Sequence, residues 1–238
     1  MRGLKNRLGA APIIWRKIAL TLIFFGVVLA IVVFIMQTSI FDTKPENTVP
    51  SAKALYLDKN QPIEARVADL LSYMTLEEKI GQMTLVEKNS IKTPGDIATY
   101  HLGGLLSGAG SKPKDNTKEG WRDMIGGYQE VATQSRLGIP LLYGVDAVHG
   151  HAHVPGATVF PHAIGLGATN NPPLVKEVAQ ATAQELAATG VNWSFSPNLD
   201  QPQDIRWGRT YEAFSDDTAL VSKLGVAYLG GLQGDGEP

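Results

Sequence analysis

From Pro62 onward, short apolar runs of strand length alternate with longer segments of helical period, which restricts the chain to a parallel α/β architecture. Ile63, Val67, Leu70 and Leu71 recur at helical spacing, and Thr75-Leu76-Glu77-Glu78 is a capping box that opens a second helix. Residues 82–86 read as a strand, 95–101 as a short helix and 103–106 as a second strand. Residues 117–136 predict a long amphipathic helix with Trp121, Ile125, Tyr128 and Val131 on one side. A strand over 139–145, an Ala-rich helix over 174–189, a strand over 191–195 and a helix over 217–232 complete the pattern.

A doubly wound sheet and a (β/α)8 barrel both have this order of elements. No strand is followed by G-x-G-x-x-G, and the Gly-rich run 103–108 lacks the Lys-Ser/Thr of a phosphate loop, which weakens the nucleotide-binding version. In a barrel, polar residues at the C-terminal ends of strands face the active site. Asp146 and His149 follow the 139–145 run, and Asn198 and Asp200 follow 191–195.

The N-terminal part is of a different kind. Residues 18–36 form an apolar run whose one polar side chain is Thr21. As a helix it would span about 28 Å, close to the thickness of a bilayer core. Residues 1–17 hold five basic side chains and no acid, which predicts a cytoplasmic N-terminus and a body outside the cytoplasm, periplasmic or extracellular. An uncleaved transmembrane signal anchor is expected; the alternative is a cleaved signal peptide, whose apolar region is shorter, about 7–15 residues. Residues 37–61 are polar with Pro45 and Pro50, and read as a linker to a domain over 62–238.

Setting aside those five of the 21 basic residues leaves 16 against 23 acids, so the remainder carries −7. An acidic body is a poor partner for nucleic acid. With no cysteine, disulfides, thiolate metal sites and thiol nucleophiles are excluded.

Two segments carry side chains suited to chemistry. The first, Gly144-Val145-Asp146-Ala147-Val148-His149-Gly150-His151, puts an acid at a strand end; a turn aspartate capping the next element is the structural alternative. His149, His151 and His153 alternate as H-x-H-x-H, which on a strand could bind a transition metal. Gly150, Pro155 and Gly156 argue instead for an irregular loop, and His162 suits packing or hydrogen bonding. The second segment, Asp204-Ile205-Arg206-Trp207-Gly208-Arg209-Thr210-Tyr211-Glu212, combines arginines, aromatics and carboxylates. Aromatic faces stack on sugars, and Arg with Asp or Glu pairs with vicinal hydroxyls. A structural ion pair of Arg206 or Arg209 with Glu212 is the alternative, and one arginine of each kind is expected. Asn192-Trp193-Ser194 matches a glycosylation sequon but falls in an expected inner strand.

Residues 143–169 (YGVDAVHGHAHVPGATVFPHAIGLGAT) resemble the corresponding stretch of family 3 glycoside hydrolases of the β-glucosidase and β-glucan exohydrolase type. MTLEEKIGQM (74–83), SRLGIP (135–140), VNWSFSP (191–197) and RWGRTYEAFSDD (206–217) extend the resemblance over nearly all of 62–238. The resemblance implies a (β/α)8 barrel, a retaining mechanism with a carboxylate nucleophile and a second carboxyl as acid and base, and no metal or cofactor. It also implies that Asp146 and Arg209 hold hydroxyls of the terminal sugar of a β-linked oligosaccharide or glucoside. The family's Lys-His pair, its nucleophile and its acid/base follow the stretch matched here, so no catalytic residue is assigned to this chain. From residue 62 there are 177 residues, against about 250 for a complete barrel. About four βα units, an incomplete barrel and a fragment inactive by itself are therefore expected, with a truncated sugar-binding or pseudoenzyme product as the alternative.

Overall fold

A computed structural model describes residues 50, 51, 53–108 and 110–234. The basic segment 1–17 and the apolar run 18–36 lie outside the described residues. Among the described residues no helix is long and apolar enough to cross a membrane.

The chain divides into two units. In the first, helix α1 (Ile63–Tyr73) carries a 3-10 turn, Leu55–Leu57, on its side. The Tyr56 amide donates to Asp69 (3.1 Å) and Arg66 Nε donates to the Tyr56 carbonyl (2.9 Å). Residues 55–57, inside the expected linker, are thus fastened to α1.

The second unit holds α2 (Leu76–Gln82), β1 (Leu85–Glu87), α3 (Asp96–Thr99), β2 (Gly104–Ser107), α4 (Lys118–Thr133), β3 (Leu142–Val145), α5 (Ala163–Thr169), α6 (Pro172–Ala188), β4 (Trp193–Ser194) and α7 (Thr218–Gln233). The four strands form one sheet in the order β1-β2-β3-β4, every pair parallel. Each new strand is added on the same side as the last. A doubly wound sheet reverses direction at a switch point, whereas a barrel does not, so the sheet is TIM-barrel-like.

Local chemistry sets the element ends. At α2 the Glu78 amide donates to Thr75 Oγ1 (3.2 Å) and the Thr75 amide to Glu78 Oε2 (2.9 Å), closing the capping box. That helix runs through Gln82, so β1 begins at Leu85, three residues later than the apolar run suggests. β3 begins at Leu142 rather than 139 because Pro140 has no N–H and Leu141 is already satisfied. Its amide donates to Gln129 Oε1 (2.9 Å), and its carbonyl accepts from Gln129 Nε2 (2.6 Å) and Asn192 Nδ2 (3.1 Å). The Asn192 Oδ1 also accepts from the Tyr143 amide (2.7 Å). The sequon asparagine is therefore built into the β3–β4 seam.

Side chains alternate across the sheet. Leu105, Tyr143 and Val145 face the helices and join Trp121, Ile125 and Ala132 of α4 and Leu186 of α6 in one core. A second core joins Leu166 of α5, Val175, Val178 and Ala179 of α6, Phe214, and Val221, Leu224 and Tyr228 of α7. On the inner face Trp193 reaches over Gly104, and the Phe195 ring fills the space above Gly144. Trp193 and Phe195 meet edge to face at 4.9 Å.

His151 is fully buried in the first core. Its ring meets Trp121 edge to face at 5.2 Å, and Nε2 lies 3.0 Å from Thr189 Oγ1. That hydroxyl donates to the Leu186 carbonyl (2.7 Å), so it accepts from Nε2–H and leaves Nδ1 bare. Nδ1 is buried without a partner among the described residues. Burial, with His153 adding repulsion, lowers the His151 pKa from 6.5 to about 4. The unfolded state therefore binds a proton first as pH falls. Stability is whole above about pH 6.5 and is lost between there and about pH 4, by about 3 kcal/mol. Urea unfolding across that range should show this slope, and His151→Asn should flatten it; equal slopes would show that His151 is not the group responsible.

Candidate active site

The C-terminal ends of all four strands lie at one edge of the sheet, because every pair is parallel. Asp146 follows β3 directly. By alternation it continues the inner-face series Leu142 and Gly144. It is exposed, and its carboxylate makes no hydrogen bond or ion pair among the described residues. Its carbonyl is held by His153 Nε2 (3.0 Å). The carboxylate does not cap the following element, so the turn-aspartate alternative fails.

The three alternating histidines pin this loop at three points. His153 binds Asp146, and His151 plugs the core. His149 is clamped to Phe160 in both directions: the Phe160 amide donates to the His149 carbonyl (3.0 Å), and His149 Nδ1 lies 3.2 Å from the Phe160 carbonyl. The three ring nitrogens serve separate partners. Among the described residues no group of three His, Cys, Asp or Glu is placed to hold a metal.

Arg209 lies on the loop after β4, at the start of a 3-10 turn, Thr210–Glu212. Its Nε and Nη2 donate to the two Glu212 oxygens at 2.9 and 2.6 Å. Glu212 is the inner partner, with 12% of its side chain exposed against 60% for Arg209. Asn198 Nδ2 reaches the same carboxylate at 3.4 Å. The hydrogen bonds from Arg209 hold the Glu212 carboxyl below its ordinary pKa. The result is a guanidinium fixed on one edge and open on the other. Arg206 pairs instead with Asp204, and with 88% of its side chain exposed it is a surface ion pair. Both arginines are thus in ion pairs, and the Glu212 pairing and the exposed guanidinium edge belong to the same residue, Arg209.

Sequence reasoning missed Glu87. It ends β1 on the face of Leu85, so it shares the sheet edge of Asp146. Its carboxylate accepts from the Asn89 amide (2.7 Å) and from the Ser111 hydroxyl, and so pins the loop after β2. The available signal was an acid at the end of a short apolar strand.

Residues 75–236 match the Glycosyl hydrolase family 3 N terminal domain. The chain is 36% identical over 186 residues to the lysosomal beta glucosidase of Dictyostelium discoideum, covering 71% of this chain and 22% of that protein. It is 35% identical over 171 residues to the periplasmic beta-glucosidase of Salmonella typhimurium, covering 72% and 21%. The solved exo-1,3/1,4-beta-glucanase of a Pseudoalteromonas species superposes with a TM-score of 0.68 at 38% identity, over 76% of this chain and 23% of that one. The chain thus spans less than a quarter of the length of these relatives. Strand order, strand-end polar residues and the matched residues agree: the chain belongs to glycosyl hydrolase family 3.

Proposed function

We propose that the chain supplies the hydroxyl-reading wall of the terminal-sugar subsite in a retaining, exo-acting β-glucosidase or β-glucan glucohydrolase. The carrying observation is Asp146, an exposed carboxylate on the inner face at a strand's C-terminal end with no partner among the described residues. An ionised carboxylate accepts two sugar hydroxyls at once. The open edge of Arg209 donates to a neighbouring hydroxyl, and Glu212 keeps it from swinging away.

The nucleophile, the acid/base and the remaining barrel strands come, on this proposal, from residues outside this chain. Two observations support it. Leu85, Leu142 and Trp193 leave an apolar inner face exposed. The relatives are more than four times as long as the matched part. The test is proton NMR of the sugar first released from an aryl β-glucoside by the full-length protein. β-Glucose is expected, since two displacements restore the anomeric configuration. First release of the α-anomer, or no release, would contradict the proposal.

We propose further that residues 18–36 anchor the protein, with the sugar site outside the cytoplasm. The support is the apolar run behind a basic segment, and a periplasmic relative. Mass spectrometry of membrane-extracted protein should find residues 1–17 intact; a mature N-terminus near residue 40 would refute the anchor.

A further inference from the structure

Between the Asp146 loop and the Arg209 loop lies α5, and the residue that precedes it makes a ring contact to each side. His162, immediately before α5, meets His149 at a ring-centroid distance of 4.4 Å and an angle of 70°. On its other side it meets Tyr211 at 4.6 Å and 66°. His149 sits three residues after Asp146, and Tyr211 two residues after Arg209. His149 is itself immobilised by its two-way clamp on Phe160. A second contact lies along the same helix: a Cβ at Gly167 would fall 1.7 Å from the Phe214 carbonyl oxygen, so helix and loop touch backbone to backbone.

We infer that His162 is a positioning residue, whose ring sets Arg209 against Asp146 through the edge-to-face contacts His149–His162–Tyr211. The inference rests on the proposal that Arg209 reads a sugar hydroxyl. The Glu212 pair fixes Arg209 within its own loop, but it does not fix that loop relative to β3. A bidentate sugar clamp needs both. Edge-to-face ring pairs have a defined geometry, and these two link the loops within three residues of the ligand-reading groups. His162 itself touches no sugar on this account.

The test is a double-mutant cycle in the full-length protein. His162→Ala is expected to raise KM about tenfold with kcat within about twofold, because ground-state and transition-state binding of one hydroxyl are lost together. His162→Phe, which keeps a ring in place, should restore KM to near the wild-type value. In an Arg209→Met background, His162→Ala should add less than about twofold, because the group it positions is gone. Should His162→Ala fail to fold, Tyr211→Ala removes the exposed end of the same contact and should raise KM likewise. An unchanged KM for Arg209→Met alone would overturn the sugar-reading role of Arg209, and the strut with it. A harmful Arg209→Met combined with a neutral, or fully multiplicative, His162→Ala would overturn the strut alone. Failure of His162→Phe to rescue would do the same.

Discussion

Replacing Asp146 by Asn in the full-length protein is expected to lower kcat/KM on an aryl β-glucoside by about ten- to a hundredfold. The substitution keeps the side chain's size and removes its charge. A hydrogen bond to a charged group contributes about 1.5–3 kcal/mol, and about 1.4 kcal/mol is a factor of ten. Asn also turns one acceptor oxygen into a donor nitrogen, which faces a hydroxyl that has been donating. Stability should hardly change, because the Asp146 carboxylate has no partner among the described residues and only its backbone is held, by His153. That combination separates a ligand-reading group from a structural one. Unchanged kcat/KM, or a large loss of thermal stability, would show that Asp146 is structural.

The second large effect concerns folding. Arg136 Nε donates to Glu78 Oε1 at 2.9 Å and Nη2 to Oε2 at 2.5 Å, while the Thr75 amide shares the same carboxylate. The Glu78 side chain is 5% exposed and that of Arg136 21%. Burial of Glu78 opposes ionisation, but the hydrogen bonds from Arg136 and Thr75 outweigh it and hold its carboxyl below the ordinary range. Arg136→Met strands a buried charge, and a loss of about 3 kcal/mol in urea unfolding at pH 7 is expected. Because the native pKa of Glu78 is depressed, its contribution is present above the unfolded carboxyl pKa and is lost as pH falls through the native one. The gap between variant and wild type should therefore narrow below about pH 4. Glu78→Gln/Arg136→Met should cost less than Arg136→Met alone, since no charge remains unpaired. A double variant worse than the single would show that packing of the arginine stem, not charge, is what Arg136 contributes.

Much of this architecture was legible in periodicity. Every expected strand and helix of the second unit exists, because short apolar runs mark the strands of an interior sheet and the 3.6 period marks the face each helix buries. The strand ends were less legible. β3 and β4 are shorter than their apolar runs, since the amide side chains of Gln129 and Asn192 take over backbone bonds that a ladder would otherwise make. Such a substitution leaves no periodic trace. Helix α5 was not legible either: its sequence AIGLGAT holds two glycines, which disfavour helix, and it forms by packing Leu166 and Gly167 against Phe214.

The site was legible in parts. Asp146 was legible as an acid behind an apolar strand run, and it follows β3 directly; Arg209 came from the resemblance alone, and it lies on the long loop after β4. The histidines show what spacing alone leaves open. H-x-H-x-H suggests a shared ligand, yet the loop turns the three rings to Asp146, Thr189 and Phe160. The contact of His162 with Tyr211 joins residues 49 positions apart and depends on α5, so no local pattern could announce it.

One crystal structure tests the central claim most directly: that of the full-length protein grown with glucose. The expected result is one glucosyl ring whose hydroxyls lie within about 2.7–3.2 Å of both the Asp146 carboxylate and the outer edge of the Arg209 guanidinium, with Glu212 still holding the inner edge. Glucose bound elsewhere, or bound with Asp146 or Arg209 turned away from it, would contradict the claim.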